Sequence, residues 1–224
     1  MNIIKKFIHF NNKKFKADDI FSYIDNDDIN YVEFYINSGY DLNVKKGNGN
    51  DLLLYASLSN KLEIVKLLLD FGFNINAPNS FGQTPLICAC IKDNTEIVKF
   101  LMNKKANFNK KDKNGYTALM YSVLNDNLIT TELLLNAGSN LSKKNKYVDD
   151  NILFLALSRN EYEIVKIILK FTKIINIKNE NGEDPLTISI KKDNIEVVKL
   201  LLNNDADIDI QDKSGNTPLI WAAK

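Results

Sequence analysis

Leu53, Leu86, Leu119, Leu153, Leu186 and Leu219 occupy equivalent points of a segment that the chain repeats every 33 or 34 residues. A fixed period of this length calls for an array of small units, each burying its apolar side against the next, and excludes a globule built around one centre. The clearest copy runs from Asn79 to Lys111.

Within that copy, Thr84 is placed to cap a helix whose first turn opens with Pro85, a residue pre-set for helical φ that has no N–H to leave unbonded. Asp18, Asp51, Thr117, Asn151, Asp184 and Thr217 stand at the matching positions, and all can accept from first-turn amides. A short first helix follows, with a small residue (Ala56, Ala89, Ser122, Ala156, Ser189, Ala222) where neighbouring helices must come close. Asp27, Asn60, Asp93, Asp126, Asn160 and Asp193 come next and are predicted to take the left-handed backbone of a turn. The second helix reads EIVKLLL from Glu63, EIVKFLM from Glu96, EIVKIIL from Glu163 and EVVKLLL from Glu196. Its apolar positions leave a single polar stripe, so one pair of such helices cannot cover itself.

These residues resemble the ankyrin repeat. The likeness rests on DKNGYTAL from Asp112, DKSGNTPL from Asp212, the IVKLLL second helix, and the loops FGFNIN, AGSNLS and DADIDI. It implies an all-α fold: an ankyrin-repeat solenoid of stacked helix-turn-helix units joined by hairpin-like loops. Full repeats are expected from about residues 18, 47, 80, 113, 148 and 181, with a half-repeat from about 214. Residues 1–17 are expected to cap the array, 18–224 to form it. The His that usually follows TPL is replaced by Leu54, Ile87, Met120, Phe154, Thr187 and Ile220, so its hydrogen bonds must be absent or supplied otherwise. The loop Gly survives at Gly39, Gly72 and Gly138 but becomes Lys105, Thr172 and Asp205 elsewhere, leaving those helix ends open to question.

The charge balance, 29 basic against 28 acidic residues, supplies no global field to draw nucleic acid or an anionic membrane. Ile3, Ile4, Phe7 and Ile8 give the first ten residues an amphipathic pattern, suited to a membrane-surface or partner-binding helix or to an end cap; the cap is the preferred reading. No stretch has the roughly 20 apolar residues of a membrane span. Two cysteines, Cys88 and Cys90, sit too close on one helix for a relaxed disulfide and read as core residues. That usage suits a reducing compartment, and localisation is expected to be cytoplasmic or inside a host cell.

Catalytic residues, cofactors and metals are not expected. The one histidine, His9, lies outside the array, and neither cysteine has a second ligand pair. The KNG and KSG turns lack the order of a phosphate-binding loop. Glu96, Glu163 and Glu196 recur where they favour the positive end of a helix dipole. The stretch near Lys143 to Val148 carries the extra residue and is expected to be an irregular loop. Ile220 and Trp221, after which the chain ends, are expected to lack cover from a second helix.

What remains is a surface. The family resemblance implies that loop tips and the exposed side of the first helices form a concave face whose variable residues choose a partner. The residues assigned to it are Leu58, Phe81, Ile91, Lys92, Tyr116, Leu124, Asn125, Arg159 and Lys192. Their order suggests an apolar, aromatic centre in repeats two to four and a basic flank in repeats five and six, a flank that would prefer an acidic or phosphorylated protein segment. The bland alternative is that Leu58, Ile91 and Leu124 are half-buried between helices. The function expected is a monomeric, non-catalytic protein-binding scaffold, with no nucleic-acid or membrane partner. The alternative is the targeting portion of a larger protein whose enzymatic or membrane part lies beyond residue 224.

Overall fold

The computed structural model describes residues 19–141, 151–173 and 175–224. The N-terminal segment 1–17, the cap Asp18 and the irregular loop near Lys143 to Val148 lie outside the described residues. Among those described there are thirteen helices and no strand: α1 (Asp19–Asp25), α2 (Ile29–Asn37), α3 (Leu52–Leu58), α4 (Leu62–Asp70), α5 (Pro85–Ile91), α6 (Thr95–Asn103), α7 (Ala118–Leu124), α8 (Leu128–Asn136), α9 (Ile152–Arg159), α10 (Tyr162–Phe171), α11 (Pro185–Lys191), α12 (Ile195–Leu202) and α13 (Pro218–Ala222). The odd helices contact one another in order from α1 to α13, and the even helices do so from α2 to α12. This is the stacked solenoid that the repeat demanded.

Why the odd helices can lie side by side is visible in the small column. Ala56, Ala89, Ser122, Ala156 and Ser189 are all buried at the helix contacts. The even helices close the other side with longer side chains: α4 buries Ile64, Val65 and Leu68, and α6 buries Ile97, Val98 and Leu101. Each such side chain contributes about 1.5–3 kcal/mol when taken fully from water, so every unit depends on its neighbours for most of its stability.

Local chemistry sets where each helix begins and ends. Thr84, Asp51, Thr117, Asn151, Asp184 and Thr217 each accept a first-turn amide, as in the bonds donated by Ile87 N to Thr84 at 3.3 Å and by Leu54 N to Asp51 at 2.9 Å. The predicted turn column is left-handed throughout, with φ of 58° at Asp27 and Asn60, 60° at Asp93, 54° at Asp126, 62° at Asn160 and 52° at Asp193. At the lost loop glycines the outcome is split. Lys105 and Asp205 still take positive φ, 63° and 64°. Thr172 instead is extended, φ −137°, because a β-branched side chain tolerates the left-handed region poorly, and α10 runs on to Phe171.

Two further ladders tie the units together. In the loops after the even helices, Asn76 N–H donates to Asn74 Oδ1, Asn107 N–H to Asn76 Oδ1, Asn109 N–H to Asn107 Oδ1, and Asn140 N–H to Asn109 Oδ1, all at 2.9–3.1 Å. The other satisfies carbonyls at the ends of odd helices: Asn94 Nδ2 donates to Ser57 O at 2.8 Å, and Asn125 Nδ2 to Cys90 O at 2.8 Å. Such carbonyls have no partner inside their own helix; Cys90 O also accepts from Asp93 N–H at 3.2 Å, and at Ser57 O the donor from the next unit removes the cost of burial.

The replaced His column is also resolved by packing. Leu54, Ile87, Met120, Phe154 and Thr187 are buried, and Thr187 Oγ1 donates to the capping Asp184 at 2.6 Å. At the C-terminal end the expectation of missing cover holds for Ile220, 42% exposed, and needs correcting for Trp221. Trp221 is not left uncovered: its indole Nε1–H donates to Asp212 Oδ2 at 2.8 Å, with the ammonium groups of Lys191 and Lys224 3.5 and 4.1 Å from the ring centroid. Leu219, buried in every earlier copy, is barer still, 75% exposed.

Candidate functional site

The tips that precede the odd helices owe their shape to one recurring side chain. Asn79, Asp112, Asn179 and Asp212 each bond back to amides two and four residues on; Asp112 Oδ1 accepts from Asn114 N and Tyr116 N, both at 2.9 Å. Asn79 Oδ1 accepts likewise from Phe81 N at 2.9 Å and Gln83 N at 3.0 Å. Successive tips are joined by backbone, Lys113 N–H donating to Phe81 O at 2.8 Å. Gly82 must stay without a side chain there: its φ is +79°, and a Cβ would lie 3.0 Å from Lys113 N. The tips are therefore rigid platforms, and a platform of this kind presents side chains at little entropic cost.

Phe81 uses that platform, with 47% of its surface exposed on a fully bonded backbone. Tyr116 on the next tip is half-buried, its ring 5.4 Å from that of Tyr121. Leu58, Ile91 and Leu124, at the ends of α3, α5 and α7, are half-buried, and Ile91 and Leu124 pack on the core. Lys92 is exposed beside Ile91, while exposed Asn125 spends its amide on the α5 carbonyls. The basic flank is engaged internally: Arg159 Nη2 lies 3.2 Å from Asp126 Oδ2, Lys192 Nζ donates to Ser158 O at 3.0 Å, and Lys191 Nζ lies 2.6 Å from Glu183 Oε1. Burial raises the Glu183 carboxyl, but hydrogen bonds from Lys191 and Asn179 outweigh it and hold the group below its ordinary value.

An aromatic column on the odd helices escaped the sequence reading. Tyr121 OH donates to Asp112 Oδ2 at 2.7 Å, as Trp221 does to Asp212, and burial followed by this bond pushes the phenol pKa up. Tyr55, at the equivalent place, donates to Asp25 at 2.8 Å and accepts from Lys46 Nζ at 2.9 Å. The signal was an aromatic side chain with a polar tip nine residues after an acidic tip residue, but only at Tyr121 and Trp221.

The two thiols offer little to reaction chemistry. Burial pushes the Cys88 thiol up to about 12 and Cys90 further in the same direction, so neither supplies a thiolate at neutral pH. Among the described residues no group of His, Cys, Asp and Glu could hold a metal ion, and no helix is long and apolar enough to cross a membrane.

A family profile described as ankyrin repeats (3 copies) matches residues 20–112, 71–145, 94–180 and 153–224. The chain belongs to the ankyrin repeat family. Its ankyrin stack is similar to the ankyrin repeat domain of Bcl-3, described as a unique member of the IkappaB protein family, with TM-score 0.81 and 20% identity over 91% of this chain and 92% of that one. The ankyrin repeat domain of human ASB11 superposes with TM-score 0.75 and 20% identity over 91% and 90% of the two chains. Those two likenesses speak for the fold alone. A chain from the complex of the predatory endopeptidase Bd0816 of Bdellovibrio bacteriovorus with the immunity protein Bd3460 is 30% identical, TM-score 0.69, over 78% of this chain and 91% of that one. Among curated proteins none matches this sequence. Ankyrin repeats generally mediate protein–protein interaction.

Proposed function

We propose that this ankyrin array is a non-catalytic protein-binding scaffold whose partner seats on the face formed by the tips and the ends of the odd helices. The observation that carries this reading is Phe81: a large aromatic side chain, 47% exposed, held out on a tip whose amides are fully bonded. On this reading Tyr116 on the next tip and Leu58, Ile91 and Leu124 at the ends of the odd helices add apolar area to the face, and Lys92 and Asn125 a polar rim, the arrangement in which interfaces concentrate their energy. Arg159 and Lys192 border the face with their charges already engaged, so they serve as a polar margin more than as a bare cationic patch. Likeness at 30% identity to a chain of a peptidase and immunity-protein complex supports a partner that is itself a protein.

A second reading draws on two other side chains. Ile129, 59% exposed at the start of α8, and Ile195, 60% exposed at the start of α12, would place the partner on the side of the turns between paired helices. Replacing Phe81, Ile91, Tyr116 and Leu124 together by Ser or Ala, against a second variant carrying Ile129→Glu and Ile195→Glu, separates the two. Loss of the captured partner in the first variant alone, with thermal stability retained, supports the tip face. Unchanged capture rejects it.

A further inference from the structure

Three Asn-Gly pairs stand on the tips, Asn48–Gly49, Asn114–Gly115 and Asn181–Gly182. All three asparagines are exposed, and all three glycines have positive φ, so neither exposure nor backbone region separates them. The hydrogen bonds do. Gly115 N–H donates to Asp112 O at 3.0 Å and Gly182 N–H to Asn179 O at 2.9 Å, inside tips braced by the Asp112 and Asn179 side chains. In the first tip the bracing position is held by Lys46, which closes the loop through backbone bonds with Asn50 at 2.9 and 3.1 Å. Gly49 N–H makes no hydrogen bond among the described residues, while Asn48 O accepts from Ser80 N at 3.0 Å.

We propose that Asn48 is a site of spontaneous deamidation, and that the fold protects Asn114 and Asn181 from the same reaction. The Gly49 amide nitrogen, giving its proton to solvent base, attacks Asn48 Cγ. The side-chain nitrogen leaves as ammonia, closing a five-membered succinimide. Water then opens either ring carbonyl, giving Asp or isoaspartate; nothing is oxidised or reduced. The product carries a new carboxylate beside Lys45 and Lys46. Isoaspartate also adds a methylene to the backbone, at a tip where even a Cβ on Gly49 would fall 2.5 Å from Ser80 Oγ. This modification is independent of which face holds a partner.

The test is peptide mapping by mass spectrometry of the folded chain held in warm, mildly alkaline buffer. Asn48 should convert roughly tenfold faster than Asn114 or Asn181, the rate cost of first breaking one backbone hydrogen bond. Protein isoaspartyl methyltransferase should label the Asn48 peptide first. In urea the three rates should converge. Asn48→Gln should abolish the fast conversion, and Lys46→Asn, which restores the bracing side chain of the other tips, should slow it. Equal rates in the folded chain, a preference for Asn48 that persists undiminished in urea, or no slowing by Lys46→Asn would overturn the proposal.

Discussion

Repeats three and four have almost the same backbone and solve the same packing problem with different chemistry. Repeat three fills the core side of α6 with Ile97 and Val98; repeat four puts Thr130 and Thr131 there, equally buried. The hydroxyls are tolerated because other positions changed with them. Thr131 Oγ1 donates to Ser122 Oγ at 3.0 Å, where repeat three has Ala89, and Thr130 Oγ1 lies 3.2 Å from Thr95 Oγ1, where repeat two has Leu62. Asn127 Nδ2 extends the set to Thr95 Oγ1 and Asp93 Oδ1. Repeat four also lacks the exposed pair that Glu96 makes with Lys99 at 2.7 Å, since Ile129 replaces the Glu. The lesson is that the unit of compatibility in this array is the pair of neighbouring repeats, not the single repeat.

Transplanting the polar pair breaks the comparison most sharply. Ile97→Thr with Val98→Thr would face Ala89 and Leu62 and leave two buried hydroxyls without those partners, at an expected cost of about 3–6 kcal/mol by denaturant unfolding. The reverse change in its shape-keeping form, Thr130→Val with Thr131→Val, should move stability by no more than about 1.5 kcal/mol, because Ser122 Oγ still donates to Leu119 O at 2.8 Å and Thr95 Oγ1 still accepts from Asn127 Nδ2 at 3.0 Å. Similar costs in the two directions would show that the hydroxyl partners are irrelevant.

A smaller effect sharpens what the two repeats share. Thr84→Ala and Thr117→Ala each remove one cap and should each cost about 1 kcal/mol, equally in both repeats, since the caps do not depend on the core chemistry. Smaller again, Ile129→Glu with Glu132→Lys rebuilds the missing exposed pair and should gain only about 0.2–0.5 kcal/mol, screened away by salt.

The smallest predicted effect is spectroscopic and uses the Tyr121–Asp112 bond of repeat four as it recurs at the end of the stack. Hydrogen bonds from the Asn216 amide, the Trp221 indole and the Ser214 amide hold the Asp212 carboxyl at about 2, against an ordinary 3.8. A folded value below the unfolded one means that this carboxylate favours the folded chain above pH 3.8, and that the contribution fades as pH falls toward 2. Trp221 is the only tryptophan, so its fluorescence should titrate in that window and Asp212→Asn should remove the transition. A transition that survives the substitution would assign it to general acid unfolding.

Much of this fold was legible because the repeat samples each position several times. One Asp at a turn is weak information; six Asp or Asn residues in register gave the left-handed column, and six capping side chains at described positions gave the helix starts. What was not legible depends on partners across repeats. Nothing in KKANFN or FGFNIN says that Asn109 and Asn76 carry hydrogen bonds from unit to unit, and Lys105 and Thr172 looked alike until Thr172 declined the left-handed turn. The cover that Trp221 finds was not legible because it comes from Asp212, a residue of its own tip. The candidate face was legible only as columns of residue types. Burial then separated half-buried Ile91 and Leu124 from exposed Phe81, and pairing showed that Arg159 is already matched by Asp126.

The most direct measurement is backbone hydrogen exchange on the array with its captured protein partner bound. Binding on the proposed face predicts slowed exchange concentrated at residues 79–83 and 112–116 and at the ends of α5 and α7, with the start of α8 and α12 unchanged. Slowed exchange centred on Ile129 and Ile195, with the Phe81 tip unaltered, would contradict it.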